Sequence, residues 1–282
     1  MTLEASASRI ATTKAWPNSL SGSRELRFST AKPPAVVRAA AIIAFTNIAA
    51  CLKDKTVQEQ KKIARDSFVH AGQSLVETLI LWFVSPKRLN RFYNLKYVHE
   101  SYLGSYTKDQ QRGILLLGGH TSNIDSSGFL LAQDYPVSVV YKKLHQQVFN
   151  QLIEESRAKI VQEQISHRNL ITVIKRLRKN QTIWYAPDQD FGHDNSIFCD
   201  FLGQQKACLT ATTLLAQKTG AIIIPIFSAR GKRINEVILE MAEPFESTDV
   251  QSDVRRYNQA LGDFILRYPD NYFWMHRMFK TQ

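Results

Sequence analysis

From residue 113 onward the chain alternates between two hydrophobic patterns. Short apolar runs at residues 113–118, 137–141, 182–186, 221–227 and 236–241 read as buried strands. Between and after them, near 122–132, 145–160, 167–179, 208–219 and 250–268, the composition and the three- to four-residue spacing are those of helices. Gly220 stands where a left-handed residue closes the fourth of these helices, and Pro269 stops the last. Strands alternating with helices imply helices on both faces of a sheet, so the expected class is α/β with a mixed, largely parallel sheet. Residues 187–206 show neither period and are expected to form a long loop, a kind of segment that often carries function.

Two further helical patterns precede this region. Residues 35–52 are rich in Ala and Ile. Residues 56–84 open on a polar turn with Thr56 and Glu59, then place Ile63, Phe68, Leu75, Leu79 and Trp82 at near-helical spacing, and Pro86 follows. The apolar run at 79–84 suits either a core or a bilayer interface, and core is the simpler expectation. Residues 1–35 are rich in Ser, Thr and Ala, lack the apolar stretch of a signal peptide, and are expected to be a disordered tail. No run reaches the ~20 apolar residues of a spanning helix. No Pro- or Gly/Ser-rich linker interrupts residues 36–282, which read as one domain: a helical, membrane-facing part at 36–100 and an α/β part at 101–282.

Composition narrows the function classes. An apolar content of 44% supports a substantial core. The 36 Lys and Arg outnumber the 25 Asp and Glu, a net charge of +11 that attracts nucleic acid, anionic lipid or an acidic carrier protein. More than half of that excess lies in residues 142–179, which contain Lys142, Lys143, Arg157, Lys175 and Arg178. Aromatic residues do not interleave with these basic ones, so a nucleic-acid surface is not expected. Cys51, Cys199 and Cys208 form neither a metal spacing nor an even disulfide set and are expected to be reduced thiols.

The segment Gly118-Gly119-His120-Thr-Ser-Asn123-Ile-Asp125 carries the chemistry. It follows a buried strand, and α/β folds place their sites at the C-terminal ends of such strands. A helix starting about two residues after His120 would put Asp125 in its first turn, where the chain folds back towards the imidazole. A carboxylate there fixes the tautomer of a general base that deprotonates a hydroxyl. Gly119 would let a carbonyl approach the backbone, whose N–H groups suit an oxyanion. The ordinary alternative is a His and an Asp that merely satisfy a helix N-terminus. No Gly-x-Ser-x-Gly elbow is present, which argues against a serine hydrolase.

Further blocks follow in order: Val140-Tyr141 with Lys142-Lys143; Arg157 after an amphipathic helix; Trp184-Tyr-Ala-Pro-Asp188-Gln189-Asp190-Phe-Gly192; Phe198-x-x-Phe-Leu-Gly203; Arg230 after the Pro225 strand; and Tyr272-Phe-Trp274-Met-His276-Arg277-x-Phe-Lys280. Together with the His120 segment they resemble the bacterial lipid A biosynthesis late acyltransferases, within the wider glycerolipid acyltransferase group, from about residue 36 to the end. The resemblance implies acyl transfer from an acyl-carrier-protein thioester to a hydroxyl of an anionic lipid A precursor. Catalysis would use His120 as base and Asp125 as its orienting acid, with no cofactor and no metal. Most members of that family begin with a membrane-spanning segment where this chain has residues 1–35, so attachment to the cytoplasmic face of the bacterial inner membrane is expected to be peripheral. Residues expected at the substrate, from these motifs and the resemblance together, are Gly119, Asn123, Lys142, Lys143, Arg157, Asp188, Gln189, Asp190, Arg230, His276 and Arg277. Where the family commonly has Arg after the Tyr, this chain has Lys142-Lys143, which supplies charge without a bidentate fork.

Four other readings are weighed against this. Asp188, Asp190, His193 and Asp194 offer metal-ligand chemistry, but such clusters are more often polar loops with hydrogen-bonded caps, and for Asp188 a loop carboxylate that orients an active-site base or Arg is the better functional reading. Asp190-Phe191-Gly192 matches a kinase tripeptide, yet Asn169 stands where the catalytic Asp would be and no Gly-rich phosphate loop exists. A lysophospholipid or other lipid acyltransferase, and a non-catalytic lipid-binding protein with a basic face, are the alternatives in function.

Overall fold

The computed structural model describes residues 35–109, 111–143 and 146–281; apart from Ala35, the tail expected at 1–35 lies outside them. Helices α1 (Ala35–Cys51) and α2 (Val57–Phe83) come first, then α3 (Pro86–Phe92). The remainder runs β1 (Asn94–Val98), α4 (Ser101–Asp109), β2 (Ile114–Gly118), α5 (Ile124–Asp134), β3 (Val137–Tyr141), α6 (Gln147–Arg157), β4 (Gln164–Ser166), α7 (Leu170–Leu177) and β5 (Thr182–Tyr185). It closes with β6 (Ser196–Phe201), β7 (Gln204–Leu209), α8 (Ala211–Thr219), β8 (Ile222–Arg230), β9 (Glu236–Met241) and α9 (Val250–Arg267). The seven-stranded sheet has the order β1-β9-β8-β2-β5-β3-β4, parallel except where β8 meets β9. This is the expected α/β class.

The polar turn before α2 is a capping box. The Thr56 side chain accepts from the Glu59 N–H, while the Glu59 carboxylate accepts from the Thr56 N–H at 2.7 Å. Strands β2 and β5 are buried along their whole length, and their alternate residues serve opposite faces. Leu115, Leu117, Ile183, Tyr185 and Ile223 join one core cluster, and Ile114, Leu116, Trp184, Ile222 and Ile224 join the other. Ala44, Ile48, Ile63 and Ala64 from α1 and α2 belong to the first cluster, so both helices are built onto the sheet.

Three local expectations change. The segment expected as a loop contains the β6–β7 hairpin, whose Leu202-Gly203 turn has φ of +52° and +71°. Positive φ at both turn residues matches the right-handed twist of paired strands. Residues 208–209 end β7, so the helix after them begins only at Ala211. The run at 79–84 splits: Leu81 is in the core, whereas Phe83 is 74% exposed and Leu79 42%. None of the described helices is long and apolar enough to cross a membrane.

Candidate active site

Strand β2 lies between β5 and β8, with Leu116 in register with both Trp184 and Ile224. The chain leaving β2 therefore meets the segment leaving β5. Two glycines make the crossing possible. A Cβ on Gly118 would lie 2.1 Å from the Trp184 indole nitrogen, and one on Gly119 would lie 2.8 Å from Leu261. Packing of the strand end thus explains both glycines; in particular, Gly119 is occupied by α9 rather than open to a substrate.

His120 emerges from this crossing and meets Asp188. Its backbone N–H donates to Asp188 Oδ2 at 2.9 Å, and its Nδ1 lies 2.5 Å from Oδ1. The Tyr272 hydroxyl donates to Oδ2 at 2.9 Å. Burial alone would raise the Asp188 pKa. The charge and hydrogen bond of His120, then the charge of Lys206, instead hold it well below the usual carboxylate range. An ionised carboxylate only accepts, so Nδ1 carries the proton, and in the neutral ring Nε2 has the lone pair. Burial pushes the His120 pKa down, but the charge and hydrogen bond of Asp188, with the charge of Asp125, more than offset it, and the net shift is upward.

The carboxylate on the His120 ring is therefore Asp188, where Asp125 had been expected. Asp125 sits in the first turn of α5 and accepts from Arg157 Nη2 at 2.7 Å. Arg157, at the end of α6, is held at the same cavity as His120. That cavity measures about 410 Å³, within the range of small-molecule sites. Its apolar wall includes Leu81, Ile124, Phe129, Val139, Ile153 and Trp184, and its polar groups include His120, Asp125, Lys142, Arg157 and Gln189.

The C-terminal segment completes the site from below. The Phe273 N–H donates to the His120 carbonyl at 2.9 Å, and the Ser122 N–H donates to the Asn271 carbonyl at 2.7 Å. Asn47 of α1 donates to the carbonyls of Trp274 and His276, at 2.8 and 2.7 Å. The His276 ring packs edge-on to His120 with centroids 5.1 Å apart. Burial, more than any nearby charge, lowers the His276 pKa to about 4, so the ring stays neutral. Gln189 Nε2 lies 3.4 Å from its Nδ1.

Several other expected substrate residues are engaged elsewhere. Asn123 is buried and accepts from the Ser228 hydroxyl at 3.0 Å. Asp190 accepts from the Thr281 hydroxyl and N–H and from the Gly192 N–H, and so anchors the chain's end. Arg230 makes a buried bidentate pair with Glu77 of α2, at 2.5 and 2.9 Å, and does not line the cavity beside His120. Lys143 is exposed, 3.6 Å from Glu154, and Arg277 is also exposed. The metal grouping of Asp188, Asp190, His193 and Asp194 does not form. Among the described residues, the trio whose donor atoms converge, within 4.8 Å, is His120, Asp188 and His276. Asp188 already accepts three hydrogen bonds there, and buried Lys206 adds a positive charge that opposes a dication. A hydrogen-bonded acid–base centre fits these residues better than a metal site. Sequence reasoning missed Tyr272, which sat unassigned inside a matching block, and Lys206, which no pattern distinguished from a surface lysine.

An imidazole base at the mouth of an apolar cavity, with an arginine beside it, suits transfer of an acyl chain to a hydroxyl. The family model of bacterial lipid A biosynthesis acyltransferases matches residues 32–281. The chain belongs to this family. It is 28% identical over 248 residues to the lipid A biosynthesis acyltransferase of Haemophilus influenzae, covering 86% of this chain and 78% of that protein. It is 28% identical over 249 residues to the lipid A biosynthesis lauroyltransferase of Escherichia coli K12, 85% of this chain and 79% of that protein. The E. coli lipid A biosynthesis palmitoleoyltransferase is 25% identical over 243 residues, 85% of this chain and 78% of that protein. As an acyltransferase of the lipid A family, the chain therefore resembles relatives named for different acyl groups to a similar degree.

Proposed function

We propose that this acyltransferase moves a fatty acyl group from an acyl-carrier-protein thioester to a hydroxyl of a lipid A precursor at the cytoplasmic face of the inner membrane. The observation that carries the reading is the His120–Asp188 pair opening onto the 410 Å³ apolar cavity beside Arg157. His120 Nε2 removes the proton as the acceptor hydroxyl attacks the thioester carbonyl, and Asp188 steadies the imidazolium that forms. Arg157, oriented by Asp125, offers N–H groups to the carbonyl oxygen as negative charge develops, or to an acceptor phosphate. Collapse of the tetrahedral adduct expels the carrier thiolate, which takes up the proton. No covalent acyl-enzyme is required.

Attachment to the membrane has its own support. Leu75, Val76, Leu79 and Phe83 of α2 and Val148 and Phe149 of α6 are exposed. Trp82 packs against Phe149 with ring centroids 6.2 Å apart, close to where Thr78, Leu81 and Trp82 line the cavity. An apolar rim at a lipid-substrate cavity suits a bilayer interface, and Lys142, Lys143 and Lys159 nearby add attraction to anionic headgroups.

The test is transfer from a lauroyl-acyl-carrier protein to a purified lipid A precursor, with product followed by mass spectrometry. His120→Ala should lose about 10²–10⁴ in rate while the melting curve is kept. Near-wild-type transfer by that variant would refute the base assignment. Binding of the precursor without any transfer by the wild-type protein would favour a lipid-binding module instead.

A further inference from the structure

Lys206 on β7 is 1% exposed and among the largest fully buried side chains of the protein. Lysine is almost never so buried without compensation, because its ammonium gives up strong hydration. Part of that compensation is the ring of Phe201, whose centroid lies 4.5 Å from Nζ. The rest depends on where the lysine lies. A cavity of about 10 Å³, room for one water, is walled by Lys206 together with Leu117, Pro187, Tyr257 and Asn258. Leu117 stands three residues before His120 and Pro187 immediately before Asp188. The lysine therefore lies under both chain segments that carry the acid–base pair.

We propose that Lys206 is a positioning residue whose fixed buried charge answers that of Asp188 and so leaves His120 free to accept a proton. The reasoning is electrostatic. A lone buried carboxylate beside an imidazole favours imidazolium, and an imidazole already protonated cannot act as base. A cation under the pair balances the carboxylate beforehand and raises the cost of a second positive charge on His120. Lys206 acts in this direction on both partners, lowering the pKa of His120 and of Asp188.

The other titratable groups packed around the pair do not take over this task. Asp125 of α5 faces His120 but is bound to Arg157. His276 of the C-terminal segment is neutral. Tyr257 of α9 and Tyr272 have pKa values raised well above 10, first of all by burial, and Cys51 of α1 is pushed up to about 12 by the same cause. Asp253, at the far wall of the small cavity, accepts from Ser247 and Thr248. Lys206 is thus the cation beneath the pair.

The inference rests on His120 being the base, and the experiment separates the two claims. The pH dependence of kcat/KM is measured for the full chain with lauroyl-acyl-carrier protein and lipid A precursor, comparing wild type, Lys206→Met, Lys206→Arg and His120→Asn. Lys206→Met should move the acid limb upward by about one pH unit, the scale of a single nearby charge, with a reduced plateau at alkaline pH. Lys206→Arg should bring the limb back towards its wild-type position. A uniform loss at every pH with the limb unmoved would overturn the proposal and leave Lys206 a packing residue. Should Lys206→Met fail to fold, Lys206→Gln is read by the same criterion, and failure of both neutral variants to fold also overturns it. His120→Asn answers the separate question: activity near wild type without an acid limb removes the base assignment, whereas a strict need for His120 with an unmoved limb in Lys206→Met removes only the role of Lys206.

Discussion

Replacing Asp188 by asparagine tests the centre of this site without changing its shape. The carboxylate accepts three hydrogen bonds, two from His120 and one from Tyr272. In Asp188→Asn one of these acceptor positions becomes an NH2 group facing an N–H or O–H donor. The cheapest relief is to move the imidazole proton from Nδ1 to Nε2, so that Nδ1 accepts from the amide. The nitrogen facing the cavity then carries a proton and is no longer a base. Losing the base is worth about 10²–10⁴ in rate, or roughly 3–5 kcal/mol at about 1.4 kcal/mol per decade. The same change also removes the negative charge that Lys206 faces and leaves a donor opposed to a donor, so stability is expected to fall as well. Thermal melts must therefore accompany initial rates at saturating donor and acceptor. Asp188→Asn combined with Lys206→Met should recover part of the lost stability and none of the lost activity. Asp188→Asn with more than about a tenth of wild-type kcat would refute the role of this carboxylate, since tautomer inversion cannot cost so little.

Other expected outcomes follow from the same geometry. Asp125→Asn and Arg157→Met should each reduce kcat, and the double variant should be little worse than the weaker single one, because the 2.7 Å pair acts as a unit; additive losses in the cycle would show independent roles. Arg157→Lys should also lose much of the activity, whereas the exposed Lys175→Arg should be nearly silent in the same rate assay. The acid limb of kcat/KM should lie above the ordinary histidine value of about 6.5, since the raised His120 pKa must be exceeded before Nε2 is free. In stability the sign is opposite: the His120 contribution is full below about pH 6.5 and is lost as pH rises through the raised folded value, whereas that of Asp188, whose pKa is lowered, is lost only on acidification; urea melts across pH check both. Arg230→Met should destabilise by about 3–5 kcal/mol by stranding Glu77, and Glu77→Leu added to it should restore much of that in thermal melts.

The sequence by itself determined the class of fold and pointed to the segment where the chemistry is proposed. Unbroken apolar runs such as Leu115-Leu116-Leu117 have few ways to bury both faces, so they become central parallel strands whatever the rest of the chain does. His120 was legible as a candidate, because a buried strand's end and two glycines precede it. The β6–β7 hairpin stayed hidden because its turn is Leu202-Gly203 rather than an Asn-Gly pair. Short strands such as β4, with three residues, have too few positions to show a period. Asp188 was legible only as a loop carboxylate suited to orient a base or an Arg; the tertiary structure decided that it is the one beside His120, brought there from far away in sequence by the β2–β5 pairing. Arg230 likewise had no local sign of its partner, because Glu77 reaches it only once α2 is laid against the sheet. Local patterning records what a residue must hide from water, but the partner of a buried charge is chosen by whichever distant segment the packing brings within a few ångströms. Lys206 is the plainest case: its neighbours Gln204 and Gln205 suggest an exposed strand, and only the closing of the hairpin over the core turns that lysine into a buried charge beneath the site.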